Sequence, residues 1–186
     1  QTQTQTQTQN QRQTIKEISS WEDLEIKTPL LRGIYNYGFE NPSPIQKKAI
    51  EPLFSKRDVI AQAQSGTGKT GAFTIGCLNK MDENLKRTQI LIISPTHELV
   101  NQPYDVLKSL SDYMDITLMK VMGGTNVNQC RDDLSKDPQI IVGSPGRILD
   151  MINRQYLFTD NISTIIFDEA DEILSYGFKE SIYNII

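Results

Sequence analysis

Apolar and polar positions divide this chain into three stretches with different periodicities. Residues 1–14 alternate Gln and Thr and then run in Gln, Asn and Arg, with no apolar side chain among them. Such a stretch has no surface to bury against the entropy of ordering, so it is expected to be a disordered, low-complexity tail. Residues 15–57 bring in apolar positions at helical spacing. Pro29 suits a first helical position and Gly38 the left-handed residue past a helix end, which predicts a helix over Pro29–Tyr37. Ser43 followed by Pro44 marks a second helix start, running through Ile45, Ala49 and Ile50.

From Asp58 onwards, short β-branched runs alternate with longer helical stretches. Strands are predicted at Asp58–Gln62, Gln89–Ser94, Ile116–Met122, Gln139–Val142 and Thr164–Asp168. The runs Ile90–Ile93 and Ile165–Phe167 are apolar without alternation, as strands buried on both faces are. Helices are predicted at Lys69–Met81, Glu98–Asp112 and Pro145–Asn153, and Phe178, Ile182, Ile185 and Ile186 share one face of a last amphipathic helix. Strands alternating with helices predict an α/β domain over residues 58–186, a parallel sheet with helices on both faces.

Composition narrows this picture only a little. With 186 residues, 38% hydrophobic and 23% charged, the chain suits one soluble domain with a tail. The formal net charge is -4, whereas a protein that holds nucleic acid by its overall field is basic. Charge alone leans slightly away from nucleic acid, and any RNA must sit in a local groove. Cys77 and Cys130 are far apart and in no metal-ligand spacing, so neither a disulfide framework nor a zinc site is expected. No apolar run approaches the ~18 residues of a membrane span, and no signal core is visible, which makes a cytosolic or nuclear protein the expectation.

Candidate chemistry begins at Ala61–Thr70, which follows a predicted strand and opens a predicted helix. Within it, Ala63, Gln64, Ser65, Gly66, Thr67, Gly68, Lys69 and Thr70 form a phosphate-binding loop, with Ala63 where the general motif has Gly. Backbone N–H groups and the helix start would face an anion, Lys69 would reach the β- and γ-phosphates, and Thr70 would ligate Mg²⁺. A plain Gly-rich turn is the alternative. The partner such a loop needs is an acidic residue ending another buried strand, and Asp168 supplies it. Asp168 would complete the Mg²⁺ shell, and Glu169 would orient or activate water. Elsewhere an Asp-Glu pair after a strand is merely solvated charge.

The residues Asp168-Glu169-Ala170-Asp171 spell the signature of the DEAD-box ATP-dependent RNA helicases, and further segments resemble that family in order. Gly38–Gln46 looks like its adenine-recognising Q motif, with Trp21 as the isolated upstream aromatic. Pro95–Leu99, Gly123-Gly124 and Ser144–Arg147 resemble its RNA-contacting segments. The resemblance runs from about Trp21 to the end and is nearest to the initiation-factor-4A branch, including its exon-junction paralogue. It implies a RecA-like lobe of the P-loop NTPase kind, with ATP and Mg²⁺ as cofactors. By that resemblance Gln46 pairs with the adenine edge and Phe39 stacks on the base; Thr96, Gly124 and Arg147 contact RNA sugar and phosphate groups; and Asp171 couples the two activities. Lys69, Asp168 and Glu169 are then the catalytic set. Scaffold proteins of initiation-factor or exon-junction type become possible partners, in cytoplasm or nucleus.

Departures from the family pattern are also expected to matter. His97, the chain's only histidine, stands where the family carries Arg, and a neutral imidazole does not replace a forked guanidinium. Pro103 falls inside the helix after Thr96 and is expected to kink it. No Ser-Ala-Thr motif and no second lobe follow Asp171, so the chain is expected to be an inactive part of a longer enzyme. Its sheet is expected to have a gap between the Asp168 strand and the phosphate-loop strand. Two further functions stay open at this level: an ATP-gated RNA clamp without catalysis, and an unrelated phosphate-loop kinase or translocase, which leaves Gly38–Gln46 and Ser144–Arg147 unexplained.

Overall fold

The computed structural model describes residues 18–55 and 58–186. The Gln/Thr tail predicted over residues 1–14 lies outside the described residues. After a short 3-10 turn at Trp21–Asp23 come the helices α1 (Thr28–Asn36) and α2 (Pro44–Phe54). α2 begins at Pro44 as predicted, and α1 begins at Thr28, one residue before Pro29. Ser43 caps α2, its hydroxyl accepting from the Gln46 N–H while the Gln46 side chain accepts from the Ser43 N–H at 2.8 Å. That reciprocal box satisfies two helix-end donors together.

Four parallel strands follow: β1 (Ile90–Ile93), β2 (Leu118–Val121), β3 (Ile140–Gly143) and β4 (Thr164–Phe167), in the order β2-β3-β1-β4. Ile90 stands opposite Ile140 on one side and Thr164 on the other. Helices α3 (Lys69–Lys80), α4 (His97–Leu110), α5 (Val127–Leu134), α6 (Pro145–Asn153), α7 (Ala170–Ser175) and α8 (Lys179–Ile185) complete the fold. Alternate strand residues feed two separate cores. Ile90, Ile92, Ile140 and Val142 pack with Leu30, Ile34, Ile50, Ile75 and Leu107. Leu91, Ile93, Ile141 and Val121 pack with Leu134, Ile148, Met151, Ile173 and Ile185. Both faces of β1 and β3 are thus buried, whereas β4, expected from Ile165–Phe167 to be buried on both faces, is the outer strand and only half-buried.

One close approach sets how α1 lies. A Cβ on Gly33 would stand 2.0 Å from the Leu110 carbonyl oxygen, so only glycine lets α1 meet the end of α4. α4 itself runs unbroken from His97 to Leu110 with Pro103 buried inside it.

Three expectations are corrected. Asp58–Gln62 is not a strand: the segment pairs with nothing in the sheet, and Ile60 is 100% exposed. A strand exists only through a ladder partner, and β4 is the sheet's last strand on that side among the described residues. The expected gap needs a strand on its far side, and none forms there among the described residues. Ile186 does not join the apolar face of the last helix; it lies past α8 and is 79% exposed, while Ile182 and Ile185 pack inward. Finally, α5 and α7 were not anticipated. α5 starts where Asn126 caps the Asn128 and Gln129 N–H groups, and only Cys130 and Leu134 are buried in an otherwise polar segment.

Candidate functional site

The residues singled out for chemistry gather at the carboxyl end of the sheet. In open α/β sheets this rim is where ligands bind, because strands end there and helices begin. The loop from Ala63 to Gly68 leads into α3, with Gly66 at φ 76° and Gly68 at φ 99°. Those left-handed angles favour glycine and turn the backbone sharply into the helix. Inside the loop the Thr67 hydroxyl donates to the Gln64 carbonyl at 2.7 Å, and Ser65 is exposed at the turn. Thr70 lies half-buried in the first turn of α3.

Helix α2 is bolted onto this loop. The Ser43 hydroxyl donates to the Thr67 carbonyl at 2.9 Å, and the Gln46 Nε2 donates to the Gly68 carbonyl at 3.3 Å. Gln46 is only 3% exposed, so it is not a solvated helix residue. Its amide has used one acceptor site on Ser43 and one donor on Gly68, leaving one of each for a further partner. Two glycines make room for it. A Cβ on Gly68 would meet both Gln46 Nε2 and Ser43 Oγ at 2.9 Å, and one on Gly71 would meet Gln46 Nε2 at 2.7 Å and Phe39 Cε2 at 2.9 Å.

Phe39 is half-buried against the core and sits between two aromatic rings. Tyr37 meets it edge-on with centroids 4.7 Å apart, and Trp21 lies near-parallel at 6.3 Å. Trp21 is fully buried, and its Nε1 donates to the Phe39 carbonyl at 2.8 Å, holding the backbone that carries the ring.

Across the loop, Lys69 Nζ donates to the Ala63 carbonyl at 2.8 Å and lies 3.7 Å from Glu169 Oε1. Asp168 follows β4, its N–H bonded to the Ile93 carbonyl at 2.9 Å, and it is 9% exposed. Burial, and then the charge of Glu169, push the Asp168 carboxyl up to about 6, against the pull of the Glu169 backbone and Lys69. Glu169 takes φ 50°, ψ 54°, a left-handed conformation uncommon for a residue with a side chain. It turns the chain from β4 into α7 so that both carboxylates stay near Lys69. Asp171 is exposed on the first turn of α7, and no hydrogen bond or ion pair joins it to Lys69 or Asp168.

These residues fit a nucleotide with magnesium. The loop has the left-handed glycines of a phosphate cradle, and a carboxyl driven towards neutrality beside a second carboxylate is one that a divalent cation would recharge. No group of three or more His, Cys, Asp or Glu among the described residues could hold a metal alone. Magnesium suits this, since it is commonly held by one or two carboxylates, substrate phosphates and water.

A second cluster lies along the same rim. Thr96 caps α4, its hydroxyl accepting from the Leu99 N–H at 3.2 Å. His97 is exposed, with Nε2 3.4 Å from where a Gly123 Cβ would be. Gly124 is exposed at φ 79°. Arg147, in the first turn of α6, donates through Nη1 to both the carbonyl and the hydroxyl of Thr125 at 3.0 Å. The three segments therefore form one surface, with Arg147 turned onto the loop that carries Gly124. Sequence reasoning passed over Ser43 as a loop contact and Gly71 as a spacer. A glycine inside a predicted helix was the available signal for Gly71, since it weakens the helix unless something packs there.

Comparison with known proteins adds to this geometry. The family model described as DEAD/DEAH box helicase matches residues 43–186. ATP-dependent RNA helicase eIF4A of Neosartorya fischeri is 52% identical over 166 residues, covering 89% of this chain and 42% of that protein. The protein of the same name from Kluyveromyces lactis is 51% identical over 170 residues, covering 91% of this chain and 43% of that protein. Among solved structures, a DEAD box protein from the hyperthermophile Methanococcus jannaschii superposes with a TM-score of 0.87 at 36% identity, over 91% of this chain and 46% of that one. S. cerevisiae dbp5 bound to gle1 and IP6 superposes with a TM-score of 0.81 at 29% identity, over 91% of this chain and 43% of that one. The chain thus spans a little under half the length of these relatives.

Proposed function

This chain belongs to the DEAD-box helicase family, its sheet being the RecA-like one, and from that premise we propose that it is the ATP-binding lobe of a longer ATP-dependent RNA helicase acting in translation initiation. The observation that carries this reading is the convergence of Gln46, Lys69 and Glu169, the residue next to Asp168, on one loop at the sheet's carboxyl rim. Residues 58–186 form the lobe, and residues 15–57 carry the adenine-recognition helices. An initiation factor acting on messenger RNA works in the cytoplasm. Among the described residues no helix is long and apolar enough to cross a membrane.

In this reading the remaining donor and acceptor of Gln46 meet the adenine edge, and Phe39 offers its ring to the base. The loop N–H groups and Lys69 hold the phosphates, with Thr70 and Asp168 as the protein's contribution to the magnesium shell. Magnesium there would neutralise charge building on the β- and γ-phosphates. Glu169 orients the attacking water, and Asp171 links the nucleotide to the neighbouring lobe. RNA lies across Thr96, Gly124 and Arg147, contacted at sugar and phosphate and so without sequence preference. A scaffold protein of the initiation-factor type is the expected partner.

The test is RNA-stimulated ATP hydrolysis by the full-length protein, beside Lys69→Ala. Stimulation by RNA that vanishes in the variant supports the proposal. Equal hydrolysis by both proteins sinks it, and nucleotide-dependent RNA binding without turnover would favour a non-catalytic clamp.

A further inference from the structure

Ser94 follows β1, wholly buried, and its hydroxyl is the one buried side-chain polar atom without a hydrogen-bond partner among the described residues. Its N–H is satisfied, donating to the Gly143 carbonyl at 3.0 Å. A buried hydroxyl with no partner lowers stability, and an alanine of nearly the same shape would remove that cost. Serine at this place therefore calls for a hydrogen-bond partner beyond those that the described protein groups already give it.

The sheet register says where that partner is. Ile93 stands opposite Gly143 on one side and Phe167 on the other, so the next residue, Ser94, lies between Ser144 and Asp168. Side chains alternate along a strand, and Ser94 continues the face of Ile90 and Ile92, while Asp168 continues the face of Ile166. Both belong to the face covered by α3 and α4. Ser144 is buried and its side chain makes no cap to α6, but its hydroxyl brings a proton of its own, so two paired hydroxyls would still leave one proton without an acceptor. The Asp168 carboxyl offers one. A carboxylate is an acceptor only, with room for several donors.

We propose that Ser94 is a positioning residue for Asp168: when a divalent cation and nucleotide are bound, its hydroxyl donates to the Asp168 carboxylate, directly or through one water, and holds it aimed at the cation. This rests on the ATP reading of the loop. Ser94 itself touches neither nucleotide nor cation.

The experiment uses the full-length protein with Ser94→Ala and Ser94→Thr. Two quantities are read at equilibrium: the unfolding midpoint without ligand, and the Mg²⁺ concentration giving half-maximal binding of a fluorescent ADP. For Ser94→Ala we expect an unfolding midpoint equal to or above that of the parent, and a Mg²⁺ requirement raised roughly tenfold, the scale of one hydrogen bond to a charged group. Ser94→Thr, which keeps the hydroxyl, should recover most of the Mg²⁺ response. A more stable Ser94→Ala protein with an unchanged Mg²⁺ midpoint overturns the proposal and leaves Ser94 a packing defect. Magnesium-dependent ADP binding in the parent, with no difference between variants, spares the ATP reading. A parent that binds no ADP at any Mg²⁺ concentration overturns both.

Discussion

Gln46→Ala should destabilise the protein in the complete absence of nucleotide. The Gln46 amide accepts from the Ser43 N–H at 2.8 Å and donates to the Gly68 carbonyl at 3.3 Å, while the residue is 3% exposed. Removing it leaves a helix-start donor and a loop carbonyl without those partners and opens a small void between α2 and α3. Each net hydrogen bond contributes about 1 kcal/mol, the longer one less, and the void adds a comparable amount, so the loss is about 2 kcal/mol. For a domain of this size that corresponds to a midpoint lower by about 5 °C. Gly71→Ala tests the same contact from the other side, since its Cβ would stand 2.7 Å from Gln46 Nε2. Thermal unfolding without ligand, paired with titration of fluorescent ADP, checks both variants. If Gln46→Ala unfolds with the parent and loses only nucleotide affinity, the side chain reads adenine alone and its structural role is refuted.

Asp168→Asn should stabilise the ligand-free fold near neutral pH. The folded carboxyl is raised to about 6, above its ordinary value, so its favourable contribution is complete below about pH 4 and lost as pH rises through about 6. Unfolding measured from pH 4 to 8 should show a decline of roughly 1–3 kcal/mol in the parent that is flattened in the variant, together with loss of Mg²⁺-dependent ADP binding. His97→Arg should tighten single-stranded RNA binding in the full-length protein and steepen the log-affinity against log-salt slope by about 0.7, one phosphate contact; an unchanged slope would remove position 97 from the groove. Gly33→Ala should cost about 2–4 kcal/mol in chemical denaturation, because its Cβ would lie 2.0 Å from the Leu110 carbonyl and the backbone of α4 has no side chain to swing away.

Most of this architecture was legible because its signals are local. Doubly buried strands announced themselves at Ile90–Ile93, and helix starts at Ser43-Pro44 and Pro145 are set by caps and φ restriction in the sequence itself. Asp58–Gln62 failed for the opposite reason. Its residues suit a strand, but strand formation is a property of two segments, and propensity says nothing of whether the second is at hand. α5 escaped because only Cys130 and Leu134 bury a face, too thin a stripe to read. At the candidate site, the residue types that meet phosphate were visible in the spelling. The way Gly68 and Gly71 admit Gln46 was not, since it depends on the packing of α2 against α3. His97 and Pro103 show the limit in another form: Pro103 sits buried inside a helix that runs from His97 to Leu110, and His97 is exposed beside Gly123.

The loop is gripped from both flanks by the side chains that the proposed nucleotide would recruit. On one flank Ser43 and Gln46 hold the Thr67 and Gly68 carbonyls; on the other Lys69 is turned back onto the Ala63 carbonyl and towards Glu169. Nucleotide entry is then largely an exchange. On the proposed reading Lys69 would have to leave the Ala63 carbonyl to reach a phosphate, and that exchange would offset part of the charge-assisted contact. Gln46 differs, because it retains a free donor and acceptor and can meet a base without releasing Gly68. The adenine side can therefore engage first at little cost, with the loop already shaped by the same amide. On this geometry the phosphate side, through Lys69, sets how much of the binding energy survives.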